Sequence, residues 1–387
     1  MKARNIAVSL AACLAILPAS QAFAQASWRP QTGAVPSYIK PIPAPKAAIQ
    51  VASKAGLMSA LAKAKGGEVI SLAPGNYSLE LANKSFGKLV TITSASPIRP
   101  ANISWIKLDK VSNLAFVRLE MSRNAAPGEH LEATSVAKVS GGSNVVFDSV
   151  FVHGSLNDNA RDDMVGLSIN WTDRTQVINS EFTQLGRAGI FGGVSNAVVA
   201  NNKVHGIRSD GFNFNAAEHV LVDGNIITNF QRIPKDHPDG IQFWTNRTPR
   251  ASKDIVIRNN QIIQGVGFGS QGIFMRDEGL TMPFERVTIE NNLVVGSNMA
   301  NGIYVDNGID IRVLNNTVLG SREVSNPVWI KLKNVRNSKL EGNVAEVGGN
   351  KTPGSAKIDK SLLKGDRFKA IKAEEVVVPG IGFQLAR

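Results

Sequence analysis

A chain of 387 residues with a formal charge of +12, 43% hydrophobic and 19% charged residues can bury a core, which excludes wholesale disorder. Aromatic residues make up only 6%, so Val, Ile, Leu and Ala must fill that core, and a single cysteine excludes a disulfide scaffold. The basic balance, without a long Lys/Arg run, points to an acidic partner.

The chain opens with Lys2 and Arg4, then an apolar run from Ile6 to Leu17, then Ala22-Phe23-Ala24, the small-residue spacing that a signal peptidase accepts. A signal peptide over 1–24 is expected, and its cleavage removes Cys13 and lowers the formal charge by two. Leu10-Ala11-Ala12-Cys13 is the competing pattern, a lipid anchor at Cys13, but it leaves a short apolar core for export. The destination is periplasmic or extracellular, and no later apolar run reaches the ~18 residues of a membrane span. Residues 25–46 carry five prolines and read as an extended arm. Leu57, Leu61 and Ala64 then fall at helical spacing over 53–64, with Ser53 as cap and Gly66-Gly67 as stop. Residues 68–72 read as a strand closed by Pro74-Gly75-Asn76.

From there the chain repeats. Segments such as VVANNKV (198–204), VLVDGNII (220–227) and VTIENNLVV (287–295) align Ser149, Ser180, Asn202, Asn225, Asn260, Asn292, Asn316 and Asn343. The intervals are 31, 22, 23, 35, 32, 24 and 27 residues. Between them recur alternating strands: GLSIN, GIFGG, GFNFN, GIQFW, GIFMR, GIYVD and VWIK. Two short strands per ~22 residues leave no room for crossover helices, so each must pair with its equivalent in the next coil, as in an all-β parallel solenoid. Equivalent Asn side chains then stack ~4.8 Å apart and can bond into ladders. The helix at 53–64 is placed to cover one open end, and segment 350–387 the other, around a solenoid domain over 47–349.

The helix-then-strand opening (57–77), the Asn-rich coils and the Asp-Gly strands resemble the right-handed parallel β-helix proteins of the pectin-lyase-like superfamily, over roughly residues 50–345. That resemblance implies polysaccharide lyases, glycoside hydrolases, uronate epimerases, tailspikes or non-catalytic adhesins.

Alternation places Ser168/Asn170, Phe191/Gly193, Asn213/Asn215, Gln242/Trp244, Phe274/Arg276, Tyr304/Asp306 and Trp329/Lys331 on the outer face. Amides that read hydroxyls and aromatics that stack on sugar rings make Asn213, Asn215, Gln242, Trp244, Tyr304 and Lys331 the expected substrate-binding residues. Asp210 and Asp239 hold the same place in consecutive coils, so their backbones are expected ~5 Å apart. Two such carboxylates imply a shared proton, suited to glycoside hydrolysis, or a Ca²⁺ ion between them; no other cofactor is expected. The alternative is a pair of ordinary Asp-Gly turns. Polygalacturonase-like enzymes carry further motif residues, and here Pro238, Gln271 and Tyr304-Val305-Asp306 stand in their places. β-Elimination needs instead a carboxylate clamp, for which Arg276 is suited, and a base, for which His237, Lys331 or Tyr304 are candidates. The expected catalytic set is therefore Asp210, His237, Asp239 and Arg276. Long insertions near 230–237, 244–253 and 277–284 flank these residues and bring Arg232, Lys235, Arg247, Arg250 and Lys253. The leading expectation is a monomeric polysaccharide lyase acting on an acidic, uronate-containing chain. Hydrolase, epimerase and non-catalytic glycan binder remain the alternatives, and no motif supports nucleic-acid binding.

Overall fold

The structure, a computed structural model, describes residues 48–234, 236–265, 267–297, 301–320, 328–345 and 383–384. The expected signal peptide, the proline-rich arm and nearly all of the C-terminal cap lie outside these residues. So does Lys235.

The described chain is a parallel β-helix of 27 strands with one α-helix between the first strand, Ile49–Val51, and the second, Val69–Leu72, and every strand-to-strand ladder is parallel. The helix, Lys54–Lys63, begins where the Ser53 hydroxyl accepts the Gly56 N–H at 3.0 Å. Its Leu57 and Leu61 are fully buried in the same core as the first coils, so the helix covers the open end as expected.

Each coil has three walls, not two. One coil runs Phe212–Asn215, Glu218–Asp223 and Ile226–Thr228; the next runs Asp239–Thr245, Lys253–Arg258 and Gln261–Ile263. They pair wall on wall, as in Phe212 with Ile241, Val220 with Ile255 and Ile227 with Ile262. In these coils the third wall is only three residues long, too short for alternation to reveal it in the sequence.

The corner before this wall explains the repeated Asn-Asn and Gly-Asn pairs. The first member adopts left-handed backbone, with φ 55 at Asn201, 67 at Gly224, 55 at Asn259, 53 at Asn291 and 53 at Asn315. Asn and Gly tolerate that conformation best. The second member is fully buried. The Asn202 N–H donates to Asn225 Oδ1, Asn225 to Asn260, Asn260 to Asn292, Asn292 to Asn316 and Asn316 to Asn343, all at 2.9–3.0 Å. The ladder begins at Ser180, whose hydroxyl accepts the Val150 N–H. Val150, not Ser149, therefore holds the preceding position; Ser149 has φ 57 and belongs to the left-handed row.

Inside, Phe191, Phe214 and Phe243 stack on consecutive coils with ring centroids 4.7 and 4.6 Å apart. This corrects the expected phase of strand Gly189–Gly192: Phe191 pairs with Ile169 and Phe214 and is buried, while Ile190 faces out beside Ser168 and Asn213. A side chain at Gly189 would meet the Phe191 ring at 2.8 Å and the Phe212 ring at 3.3 Å, so the inward glycine makes room for them. One coil cannot exclude water from such rings, and stacking is what buries them, at about 1.5–3 kcal/mol for each large side chain.

At the far end, Phe383 is buried and its N–H donates to Thr317 Oγ1 at 2.9 Å, while the Gln384 N–H donates to Asn291 Oδ1 at 2.6 Å.

Candidate functional site

The outer face of the first wall carries three axial rows. One holds Asp210, Asp239, Gln271, Asn301 and Trp329. The next holds Ser168, Ile190, Asn213, Gln242, Phe274, Tyr304 and Lys331. The third includes Trp244, Arg276, Asp306 and Lys333. Most of these residues, together with Arg187, Arg232, Asp236, His237 and Glu278, line a groove of about 1170 Å³. Of the expected substrate-binding residues, Asn213, Asn215, Gln242, Trp244, Tyr304 and Lys331 all line it; of the expected catalytic ones, Asp210, His237 and Arg276 do.

Asp239 does not. It lies beneath the floor, 0% exposed. Its Oδ1 accepts Gln271 Nε2 at 2.7 Å and its Oδ2 accepts Gln242 Nε2. The two Asp positions are in adjacent coils, as expected: the Asp239 N–H donates to Asp210 Oδ1 at 3.1 Å, and the Gly211 N–H to the Asp239 carbonyl at 2.9 Å. Asp210 Oδ2 accepts Arg187 Nε at 2.9 Å. Burial, and then the charge of Asp210, push Asp239 well above the usual carboxylate range, against the bonds from Gln242 and Gln271 and the charge of Arg187. All four carboxylate oxygens of the pair thus accept a hydrogen bond. A Ca²⁺ ion takes about 6–8 oxygen ligands, and among the described residues no three His, Cys, Asp or Glu side chains converge.

The cations are better presented. Arg276 is 47% exposed and pairs with Glu278 at 3.8 Å. It is register partner to Trp244, itself 38% exposed. Lys331 sits 5.2 Å above the Trp329 ring. The Tyr304 ring stacks on Phe274 at 5.3 Å. Its hydroxyl donates to Asp306 Oδ2 at 2.9 Å; burial, and then this bond and the Asp306 charge, push the phenol up to about 12. Tyr304 is therefore held as a donor, which does not suit a base. His237 is exposed on the groove wall and has no hydrogen bond or ion pair within the described residues. The flanking insertions fall where expected, between Thr228 and Asp239, between Thr245 and Lys253 and between Asp277 and Phe284.

Sequence reasoning missed Arg187, Gln271 and Asn301 as groove residues. The signal was present for two of them: Asp210, Asp239, Gln271 and Asn301 each precede a glycine. A Cβ on Gly211 would lie 2.3 Å from the Gly240 carbonyl oxygen, and one on Gly272 2.2 Å from that of Gly302. The glycines let successive coils approach where the row begins. Arg187 holds the place of Asp210 one coil earlier, but Ala188 and not a glycine follows it; Glu132, in an insertion between earlier coils, binds both Arg187 and Arg208.

Residues 135–318 match the family model described as the right handed beta helix region. No curated protein matches the chain. Among solved structures, an alginate lyase from Paenibacillus sp. str. FPU-7 is similar at 15% identity and TM-score 0.51, over 76% of this chain and 99% of that one. A pectate lyase, Pel9A, is similar at 18% identity and TM-score 0.45, over 86% and 84%. A rhamnogalacturonan lyase is similar at 14% identity and TM-score 0.47, over 74% and 82%. Among the described residues no helix is long and apolar enough to cross a membrane. The family match and the alginate lyase agree with the strand pairing: this chain has the right-handed parallel β-helix fold.

Proposed function

We propose that this protein is an exported, carbohydrate-active enzyme that cleaves an acidic, uronate-containing polysaccharide by β-elimination. The observation that carries the proposal is the pairing of Trp244 and Arg276 on adjacent coils of an open groove, both exposed. An indole face stacks on a sugar ring, and a guanidinium beside it grips the ring's carboxylate with two parallel N–H bonds. Arg232 and Lys331 add positive charge along the same groove.

In this reading Arg276 holds the uronate and stabilises the negative charge that spreads onto its carboxylate when C5 loses its proton. A ring nitrogen of His237 takes that proton. The electron pair left on C5 forms the C4–C5 double bond as the C4–O bond breaks, and the departing oxygen takes a proton from water. A hydrolase working through Asp210 and Asp239 is less well supported, because two carboxylates must flank the scissile bond and Asp239 is sealed beneath the floor.

Arg276→Lys keeps the charge and loses the bidentate grip, so kcat/KM on a uronate polymer falls about 100-fold. His237→Gln lowers kcat more than it raises KM. Unchanged kinetics in Arg276→Lys, or equal cleavage of neutral and acidic polymers by the wild type, would refute the assignment.

A further inference from the structure

The groove floor is wired as one hydrogen-bond chain, and its direction is fixed from both ends. Trp329 Nε1 donates to Asn301 Oδ1 at 2.8 Å; Asn301 Nδ2 donates to Gln271 Oε1, and Gln271 Nε2 to Asp239 Oδ1 at 2.7 Å. From the other side, Asn213 Nδ2 donates to Asp210 Oδ2 at 3.4 Å and to Gln242 Oε1, and Gln242 Nε2 donates to Asp239 Oδ2. Arg187 closes this end on Asp210. The two arms cross six coils and meet at Asp239.

An indole N–H can only donate, so Trp329 dictates which atom of the Asn301 amide faces it. A carboxylate gripped by arginine accepts, so Asp210 dictates the orientation of Asn213. Each amide then dictates the next, and both arms arrive at Asp239 as donors. Turning either glutamine round sets amide N–H against amide N–H, and the conflict propagates to an end that cannot turn. Only a group that accepts on both oxygens fits the junction. Asn213, Gln242, Gln271 and Asn301 line the groove, whereas Asp239 does not.

We infer that Asp239 is a positioning residue: it sets the direction of the amide chain and thereby the pattern of donors and acceptors that the floor presents to a bound glycan. It transfers no proton to substrate. This deepens the proposed function, and its claim about glycan recognition rests on it, but the wiring can be tested without substrate.

The test is a reciprocal swap. In Asp239→Asn one oxygen becomes an amide N–H facing another N–H. In Gln271→Glu two carboxylates face each other. In the double variant the new Asn donates to the new Glu, which still accepts from Asn301, while Gln242 still finds an acceptor. Each single variant is expected to melt several degrees below the wild type. Each is also expected to bind trimers of uronate, prepared from polygalacturonate and from alginate, at least about tenfold more weakly by calorimetry. The double variant recovers most of both losses. In Asp239→Asn the loss of turnover sits mainly in KM. Additive losses in the double variant, or a single Asp239→Asn variant that melts and binds like the wild type, would overturn the inference. So would a kcat loss in Asp239→Asn that the second substitution does not restore. A wild type that binds neither trimer refutes the uronate reading alone, because the melting temperatures still decide the wiring.

Discussion

Asp163 is 1% exposed, and its carboxylate accepts the N–H of Ser155 at 2.7 Å and the Ser155 hydroxyl at 3.3 Å. Burial, reinforced by the charge of Asp162, outweighs these bonds and raises its pKa from the usual 3.8 to about 6. A raised carboxylate pKa means that the folded state holds the proton more tightly than the unfolded chain. Stability from this group is full below about pH 3.8 and is lost as pH rises through about 6. The size of that shift corresponds to at most about 3 kcal/mol. Asp163→Asn does not titrate, so the wild type loses melting temperature relative to it between pH 4 and 6.5, with no further divergence at higher pH. A difference that stays constant across that range would show that Asp163 is not sealed as described. The residue scale is also where the sequence was least legible. Alternation put Phe191 on the outer face of Gly189-Ile190-Phe191-Gly192, and wrongly, because the strand has an apolar residue on each face; the space left by Gly189 shows which one enters the core.

At the scale of a coil, two neighbouring asparagines do different work. Asn315 is exposed with φ 53, and it serves by tolerating that backbone. Asn316 is fully buried: its amide donates to the carbonyls of Ile289 and Leu314 and to Asn343 Oδ1, and its own Oδ1 accepts from the Asn292 backbone N–H and side chain. Asn315→Gly should change unfolding free energy by less than about 0.5 kcal/mol and Asn315→Ala should cost about 1 kcal/mol. Asn316→Ala strands buried donors and acceptors on both flanking coils and should cost about 3 kcal/mol or more by denaturant titration. Equal effects at the two positions would contradict this division. The repeat made the coil legible in the sequence, since Asn-Asn and Gly-Asn recur wherever the corner recurs. The three-residue third wall left no such mark. The row of Asp, Asp, Gln and Asn that begins the groove wall left only the glycine after each member, because the members themselves change type from coil to coil.

At the scale of the molecule, stacking turns a local pattern into a surface. Each coil contributes one residue to each row, so a groove about 1170 Å³ in volume is assembled from positions as far apart as Arg187 and Lys331. Part of the formal charge of +12 acquires a location here, in Arg187, Arg232, Arg276 and Lys331 around the groove. The fold was legible because its repeat is written in the chain. The site was legible only in part, because burial sorts the residues that face the groove from those that lie beneath it, and Asp210 and Asp239 look alike in sequence. The most direct test of the central claim is to incubate the purified protein with polygalacturonate and alginate. The ultraviolet absorbance of unsaturated uronate and the number of new reducing ends are then followed in the same reaction. β-Elimination predicts one unsaturated end for every new reducing end on at least one of the polymers. New reducing ends without absorbance, or no cleavage of either polymer, would contradict it.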